Sequence, residues 1–233
     1  MELPLPIASP AEVIKKVNQA INESNGRIKL AIFDQITSNT AMTLPIRELS
    51  QIAKQAGAIV CIDAAHSLFS QDIHIYEKES VHDHNHNHND DHSNIQSFAD
   101  IWLTNGHKWL SAPKGCAFMW ISPRLSKEEG IFFLPIRPAV ISHGYEMTTG
   151  NQKMLSGFSW DGCRDYAAML SIPSALQVWR NVQEINTESS PQVYMKQLLS
   201  HATNIIASHW NISESEFAAP LEMRINSPMS LVT

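Results

Sequence analysis

Lysine and aspartate residues follow two apolar runs of this sequence in a pattern that suits chemistry on amines. Asp63 closes the apolar run 58–62, and Lys108 stands in the motif Asn-Gly-His-Lys-Trp just after a second apolar run. A lysine amine forms a Schiff base with an aldehyde, and a carboxylate keeps a pyridine nitrogen protonated so that the ring accepts electrons. These are the two groups that pyridoxal 5'-phosphate (PLP) requires, so the pattern predicts a PLP site around Lys108 and Asp63.

The neighbours of Lys108 support this interpretation and leave simpler ones open. His107 and Trp109 provide positive charge and an apolar wall, the surroundings in which a Schiff-base lysine is activated. Asn105 and His107 are both able to bind a phosphate. His66 follows the aspartate by three positions and is placed to stack on a bound ring or to hydrogen-bond to it. Each residue also has a structural interpretation: a solvated lysine, an aspartate that caps the next helix, and a histidine packed at a helix start.

Apolar runs and amphipathic segments alternate through the first half of the chain. Residues 28–33 and 58–62 are predicted strands that are apolar apart from Lys29, and residues 46–55 between them have the spacing of an amphipathic helix. Such strands indicate a parallel sheet that is covered on both faces. Residues 101–103 and 116–121 are further strand candidates. We therefore predict an α/β fold with a mostly parallel sheet flanked by helices and a ligand site at the carboxyl ends of its strands.

The composition indicates a globular protein and restricts its partners. The chain has 233 residues, of which 43% are hydrophobic and 17% are charged, with a net charge of -6 and a pI near 6.0. This balance argues against nucleic acid as a partner, and no apolar stretch approaches the roughly 20 residues that span a bilayer. The amino terminus lacks the pattern of a signal peptide, and three cysteines without a Cys-x-x-Cys pair suit a reducing compartment. We expect a cytoplasmic protein that binds neither membranes nor nucleic acids.

A histidine-rich segment at residues 81–93 interrupts the predicted sheet. It contains five histidines among asparagine and aspartate residues and is too polar to bury itself. We interpret it as a surface loop inserted between two elements of the sheet, which costs little extra closure entropy. Neutral imidazoles bind Zn, Ni or Cu, so metal handling on an inert scaffold is an alternative function, although no spacing in the segment matches a structural zinc site.

Two helices and a linker are predicted after the sheet. The first helix runs from Tyr166 to about Val182 with an interruption at Pro173, and the second covers residues 192–208. Residues 213–233 have the composition of a linker that leads toward another element.

Several ordered motifs of this chain resemble those of one family. Asp-x-x-His at 63–66, Asn-x-His-Lys-Trp at 105–109, Pro-Lys-Gly at 113–115 and Trp-Asp-Gly-x-x-Asp at 160–165 stand in the order typical of aminotransferase class V. Within it, the sequence is similar to the branch of isopenicillin N epimerase-like and L-cysteine desulfhydrase-like proteins. The resemblance implies part of a PLP-dependent fold type I large domain at 1–185. It also implies a helix and linker at 186–233 that lead toward a truncated small domain.

The resemblance also implies roles for individual residues in binding PLP. Lys108 would form the Schiff base, and Asp63 would be the partner of the pyridine nitrogen. His66 occupies the place of a side chain that lies near the phenolic oxygen of PLP. Ser38, in the loop after the first strand, would approach the same oxygen.

The phosphate of PLP would be bound by residues from two places in the sequence. The resemblance implies that Asn105 and His107 contact it within one subunit. The turn at Gly162 and Cys163 corresponds to a loop that reaches into the phosphate site of the neighbouring subunit, so a homodimer is implied. Many relatives have threonine in place of Cys163, and a thiol is a poorer hydrogen-bond donor than a hydroxyl.

The reaction implied by the resemblance acts on a small amino acid. It begins with exchange of Lys108 for the substrate amine, after which Lys108 removes the Cα proton. Loss of a β-thiol would make the protein a C–S lyase, and return of the proton to the opposite face would make it an epimerase. A desulfurase needs an exposed nucleophilic thiol instead. We expect Cys61 and Cys116 to be buried in strands, and Cys163 lies in the presumed phosphate loop. A lyase or an epimerase is therefore favoured, with a catalytically inactive fragment as the alternative.

Overall fold

A four-stranded sheet forms the centre of the computed structural model. The structure describes residues 2–3, 5–71, 76–78, 95–122, 125, 138–143, 155–159, 162–185 and 190–231. In chain order, the strands are β1 (Leu30–Asp34), β2 (Ile59–Asp63), β3 (Tyr76–Lys78), β4 (Ile95–Ser97), β5 (Ile101–Asn105) and β6 (Ala117–Ile121). The central sheet has the order β1-β2-β5-β6, in which β6 alone is antiparallel to its neighbour. The predicted α/β class with a mostly parallel sheet is confirmed.

The parallel strands β1, β2 and β5 end at the same edge of the sheet. Asp34 pairs with Asp63, and Asp63 pairs with Leu103. The ladder continues past the strand ends, because the Gln35 amide donates to the Asp63 carbonyl over 2.8 Å and the Ala64 amide donates to the Leu103 carbonyl over 2.8 Å. The loops that follow the three strands therefore begin side by side.

Burial of the strands corrects one expectation. Val60 and Ile62 of β2 are fully buried, whereas Leu30 and Ile32 of β1 are 51% and 62% exposed. The prediction that both faces of the apolar strands are covered is confirmed for β2 and wrong for β1. β1 lies at an edge of the sheet, and an apolar sequence by itself does not show how many layers pack against a strand.

Two helices pack on the sheet and form the main core with it. They are α1 (Pro10–Glu23) and α2 (Ile46–Gln55), which matches the predicted helix at 46–55. Their buried positions recur at helical spacing and belong to one hydrophobic cluster with the side chains of β2: Val13, Val17 and Ile21 in α1, and Ile46, Leu49 and Ala53 in α2.

A buried carboxylate joins α2 to the start of β5. Asp100 is fully buried, and one of its oxygens accepts a hydrogen bond from the Val60 amide over 2.9 Å. Its other oxygen lies 3.4 Å from the Lys54 ammonium, which also donates to the Ser97 carbonyl over 2.6 Å. A buried charge is tolerated when it is paired and hydrogen-bonded. These contacts fix the position of the start of β5 relative to β2.

The helix predicted from Tyr166 is divided at Ser171 in the structure. The helix α3 is Ala167–Leu170, and α4 is Ile172–Ile185, with Pro173 in its first turn. The predicted interruption is confirmed, but its predicted position was wrong. Proline is accepted in the first turn of a helix because the amide that it lacks would have no helical partner there.

Residues 211–231, which follow the last long helix and which we call the C-terminal segment, pack against the core. The helix α5 (Pro191–Trp210) corresponds to the helix predicted at 192–208, and a short helix, α6 (Leu221–Arg224), follows it. Ala219 and Met223 are buried in the same cluster as α1 and α2, and the Thr43 amide donates to the Met223 carbonyl over 2.8 Å. A linker was expected here, and the structure instead shows a packed segment. The division into 1–185 and 186–233 stays a prediction.

A small ladder stands apart from the central sheet. β3 and β4 pair antiparallel, with Tyr76 opposite Ser97 and Lys78 opposite Ile95. The histidine-rich segment predicted at 81–93 lies outside the described residues, between these two strands in sequence. In the part of the chain that the structure describes, no helix has both the length and the apolar character needed to cross a membrane.

Replacing Met223 by alanine tests whether the C-terminal segment belongs to the folded core. Met223 is 1% exposed, so the variant should lose about 2–5 kcal/mol of unfolding free energy. Leu221→Ala removes a side chain of the same helix that is 56% exposed and should change the unfolding free energy by less than about 0.5 kcal/mol. Urea unfolding followed by circular dichroism measures both variants. Equal losses would contradict the packing described.

Candidate active site

Side chains from three loops meet at the carboxyl edge of the sheet. Ser38 follows β1, His66 follows β2 and Lys108 follows β5. His66 Nε2 lies 3.2 Å from Ser38 Oγ and 3.0 Å from Lys108 Nζ. We call these three residues the site row. The structure thus brings together three of the residues that the sequence singled out.

Two carboxylates lie beside the site row at the ends of β1 and β2. Asp63 is half-buried, and its Oδ1 accepts a hydrogen bond from the Ala65 amide over 2.9 Å, so it does cap the turn that follows. Asp34 is its register partner, and paired residues of neighbouring strands point to the same face. Burial, and then the charge of Asp63, raises the pKa of Asp34, while Lys108 lowers it. Both carboxylates and the ammonium therefore interact electrostatically.

The surroundings of His66 favour its neutral form. Burial lowers its pKa, Lys108 lowers it further, and Asp63 acts in the opposite direction. An ammonium group only donates, so Nε2 is the acceptor and the ring proton lies on Nδ1. The pKa of His66 in the folded state lies below the ordinary histidine value. The contribution of His66 to the folding free energy is therefore fully present at pH values above the ordinary histidine pKa. This contribution is lost as the pH falls from the ordinary pKa through the folded-state pKa.

Two buried nitrogen atoms at the site row lack a partner. Within the described part of the chain, neither His66 Nδ1 nor Trp109 Nε1 has a hydrogen-bond partner, although both atoms are buried. Their rings lie 6.5 Å apart in an edge-on arrangement. A buried donor without an acceptor costs about 1–3 kcal/mol. A ligand with several oxygen acceptors, as PLP is, fits this donor set.

The turn that carries Lys108 is fixed from two sides. Asn105 Oδ1 accepts a hydrogen bond from the Lys108 amide over 3.2 Å. The Gly106 amide donates to the Cys116 carbonyl over 3.1 Å, and the Gly106 carbonyl accepts from the Ala112 amide over 2.9 Å. A Cβ at position 106 would lie 2.6 Å from Cys116 Sγ, so the close approach of this turn to β6 requires glycine.

Strained backbone coincides with the site row. Ala41, Phe69 and Ser111 have φ values of 56°, 60° and 60°, and each follows a residue of the row by three positions. Among the described residues, the other non-glycine positions with positive φ are Asn25 and Asn211 at the ends of α1 and α5, and asparagine tolerates this region. Other residues there cost about 1–3 kcal/mol each, and such strain clusters at functional sites.

A buried glutamine, Gln35, forms hydrogen bonds with residues next to the site row. Gln35 Oε1 accepts hydrogen bonds from Ser67 Oγ over 3.0 Å and from Trp102 Nε1 over 3.3 Å. Gln35 Nε2 donates to Gln71 Oε1 over 3.1 Å, and Gln71 Nε2 donates to the Asn226 carbonyl over 2.7 Å. Ser67 directly follows the histidine of the row. The network therefore ties that histidine to β1, β5 and the C-terminal segment.

Two predicted phosphate-binding residues are exposed, and a third lies in a tight turn. His107 and Cys163 are exposed, and no hydrogen bond between described residues connects either of them to the row. The Tyr166 hydroxyl donates to the Gly162 carbonyl over 3.0 Å, and Gly162 has a φ of 122°, which requires glycine. The contacts expected of these residues with a phosphate or a neighbouring subunit stay predictions.

Sequence reasoning missed Asp34 and Gln35. Asp34 closes the first predicted strand as Asp63 closes the second, and that parallel was the available signal. Gln35 had no such signal, because it begins a polar loop in the sequence. Its burial arises from contacts with Ser67 and Trp102, which are distant along the chain.

The burial expected of Cys61 and Cys116 is confirmed, but Cys116 lies one residue before β6 and not within a strand. Cys61 and Cys116 are buried, and Cys163 is exposed. Burial, and then the charge of Asp63, raises the pKa of the Cys61 thiol, which keeps it protonated and unreactive. Within the described ranges, no group of three or more histidine, cysteine, aspartate or glutamate side chains is arranged to hold a metal ion.

Curated relatives match most of this chain. An L-cysteine desulfhydrase from Arabidopsis thaliana is 30% identical over 181 residues, which cover 76% of this chain and 33% of the relative. An isopenicillin N epimerase from Amycolatopsis lactamdurans is 24% identical over 181 residues, which cover 73% of this chain and 38% of the relative. The chain thus spans about a third of the length of the curated relatives that it matches. No protein-family profile matches the chain.

A solved structure shares the fold. A cysteine desulfurase from Thermococcus onnurineus superposes with a TM-score of 0.59 at 14% identity, covering 94% of this chain and 46% of that chain. The architecture is therefore that of the PLP-dependent transferase fold. The curated relatives support the resemblance of the chain to the class V family of PLP-dependent proteins, and the solved structure supports its fold.

The charges around His66 predict pKa shifts of opposite sign. Lys108→Met removes a positive charge and should raise the pKa of His66, whereas Asp63→Asn removes a negative charge and should lower it further. Lys114→Met changes an exposed lysine of the next turn and should leave that pKa unchanged. NMR titration of the imidazole in each variant measures the shifts. A shift of the same sign in the first two variants would contradict the described geometry.

Proposed function

We propose that this chain forms the core of a PLP-dependent enzyme that removes the Cα proton of an amino acid, with L-cysteine as the substrate. The observation that carries the proposal is the 3.0 Å contact between Lys108 Nζ and His66 Nε2 at the carboxyl edge of a parallel sheet. Relatives named L-cysteine desulfhydrase and isopenicillin N epimerase support it.

The predicted site residues divide between the parts of PLP that they would hold. When bound, PLP supplies an aldehyde that captures amines and an electron-poor ring that stabilises negative charge at Cα. Lys108 would bind the aldehyde carbon, and Asp63 would pair with the ring nitrogen. The other two residues of the site row would lie at the phenolic oxygen. Asn105 and His107 would bind the phosphate.

Lys108 is the proton-transferring group in this proposal. Its side chain is exposed at the edge of the sheet, so a substrate is able to reach it. In its neutral form, the amine takes the Cα proton as a general base. His66 Nε2 then accepts a hydrogen bond from the resulting ammonium and holds it in place, which a neutral imidazole does without binding the proton itself.

The step after proton removal separates a lyase from an epimerase. In the lyase, the Cβ–S bond breaks and the sulfur leaves as sulfide. In the epimerase, a proton returns to the opposite face of Cα. The lyase route needs no acceptor thiol, and the buried Cys61 and Cys116 offer none. We propose the lyase reaction, with epimerisation as the second candidate because one relative is named an epimerase.

A homodimer is part of the proposal. The thiol of Cys163 is exposed, and among the described residues nothing lies within 4 Å of a Cβ built on Gly162. The space around this turn permits a second chain to approach its backbone closely. Cys163 would there face the phosphate site of the partner subunit.

Covalent capture of PLP tests the assignment of Lys108. The full chain mixed with PLP should develop a visible absorbance band, and borohydride reduction should fix the cofactor on Lys108. Lys108→Ala should lose both signals, whereas Lys114→Ala changes another exposed lysine and should keep them. Absorbance and peptide mass mapping provide the measurement. A folded chain with no adduct at Lys108 would leave the catalytically inactive fragment as the better description.

The products formed from L-cysteine test the reaction. The lyase predicts release of sulfide in the presence of PLP, and Lys108→Ala should slow it by about 10²–10⁴-fold, as expected for a lost general base. The epimerase predicts deuterium at Cα in heavy water without sulfide. Cys163→Ser should keep the sulfide release, since the proposed route uses no acceptor thiol. Loss of release in that variant would favour a desulfurase.

A further inference from the structure

A cleft of about 510 Å³ opens between α5 and the C-terminal segment. One wall is a face of α5 that includes Lys196 and Leu199, and the other wall comes from residues 221–230. Sites for small organic ligands have volumes of about 300–1,000 Å³, so one such ligand fits. The residues of the site row do not line this cleft, which makes it a separate site. We call it the C-terminal cleft.

Two cationic side chains line the C-terminal cleft. They are Lys196 and Arg224, and no acidic side chain lines it among the described residues. Arg224 is 8% exposed; its Nε donates to the Ala219 carbonyl over 2.8 Å, and its guanidinium lies 3.8 Å over the Phe217 ring. These contacts fix the guanidinium in one place. A positioned cation with little access to water favours an anionic ligand.

Polar residues line both walls of the cleft. Lys196 Nζ donates to Asn226 Oδ1 over 3.2 Å, so the ammonium reaches from α5 to the opposite wall. Ser230 lines the cleft, and its Oγ is buried and has no hydrogen-bond partner within the described ranges. A buried hydroxyl without a partner is unfavourable. An oxygen of a bound ligand would satisfy it.

Apolar side chains form the rest of the C-terminal cleft. Leu199, Leu221 and Ile225 line it, and the last two are both 56% exposed. Removing such surface from water favours a ligand with a hydrocarbon body. Inorganic anions have no such body. We propose that the C-terminal cleft binds a small organic acid that has one carboxylate and a short hydrocarbon chain.

Titration of the full chain with 3-methylbutanoate tests this site. NMR or calorimetry should show saturable binding, and the uncharged 3-methylbutanamide should bind at least about tenfold more weakly, as expected when a charge-assisted hydrogen bond is lost. Lys196→Gln should weaken binding of the acid by a similar factor. Lys15→Gln, on the exposed side of α1, and Lys108→Ala, in the site row, should leave it unchanged.

Several outcomes would overturn the proposal. The first is a folded chain, checked by circular dichroism, that binds no 3-methylbutanoate at millimolar concentration. The second is binding of the amide as tight as that of the acid, or an unchanged affinity in Lys196→Gln. The third is binding of inorganic phosphate as tight as that of the acid, which would describe a general anion site. Loss of binding in Lys108→Ala would assign the acid to the site row instead.

Discussion

The parallel pairing of β1, β2 and β5 is the constraint on which the rest of the structure depends. Because Asp34 pairs with Asp63 and Asp63 with Leu103, three loops begin at one edge of the sheet. Each loop then needs only a few residues to bring its side chain into the site row. Side chains alternate between the faces of a strand, so a slip of one residue would turn them to the other face. That slip would separate the carboxylates from the ammonium of Lys108.

The candidate active site holds several arrangements that oppose folding. Three residues near the site row have left-handed backbone, and two buried nitrogens lack acceptors among the described residues. Burial and the charge of Asp63 also raise the pKa of Asp34. Proteins retain such features where function requires them. The cluster formed by α1, α2, β2 and the C-terminal segment offsets them with buried apolar surface. The apolar core and the candidate active site thus occupy different parts of the described structure.

Hydrogen bonds through the interior connect the site row to the C-terminal segment. Gln35 contacts Ser67 beside the histidine of the row, and Gln71 links Gln35 to the Asn226 carbonyl. Asn226 also lines the C-terminal cleft. A buried amide that satisfies partners on both sides holds them in one arrangement, because leaving any partner unpaired is unfavourable. The packed C-terminal segment therefore stabilises the loop that carries His66 as well as the core.

The sequence by itself determined the class of fold and the order of the main strands and helices, because periodicity depends on neighbouring residues. It also singled out Lys108, Asp63 and His66 as candidate site residues through local motifs. It also predicted the interruption at Pro173, two residues after its position at Ser171. Only the tertiary structure decided the burial of Gln35, the exposed face of β1, the need for glycine at Gly106 and the packing of Met223. Each of these depends on contacts between residues far apart in the chain, and local composition does not show which distant side chains will be in contact.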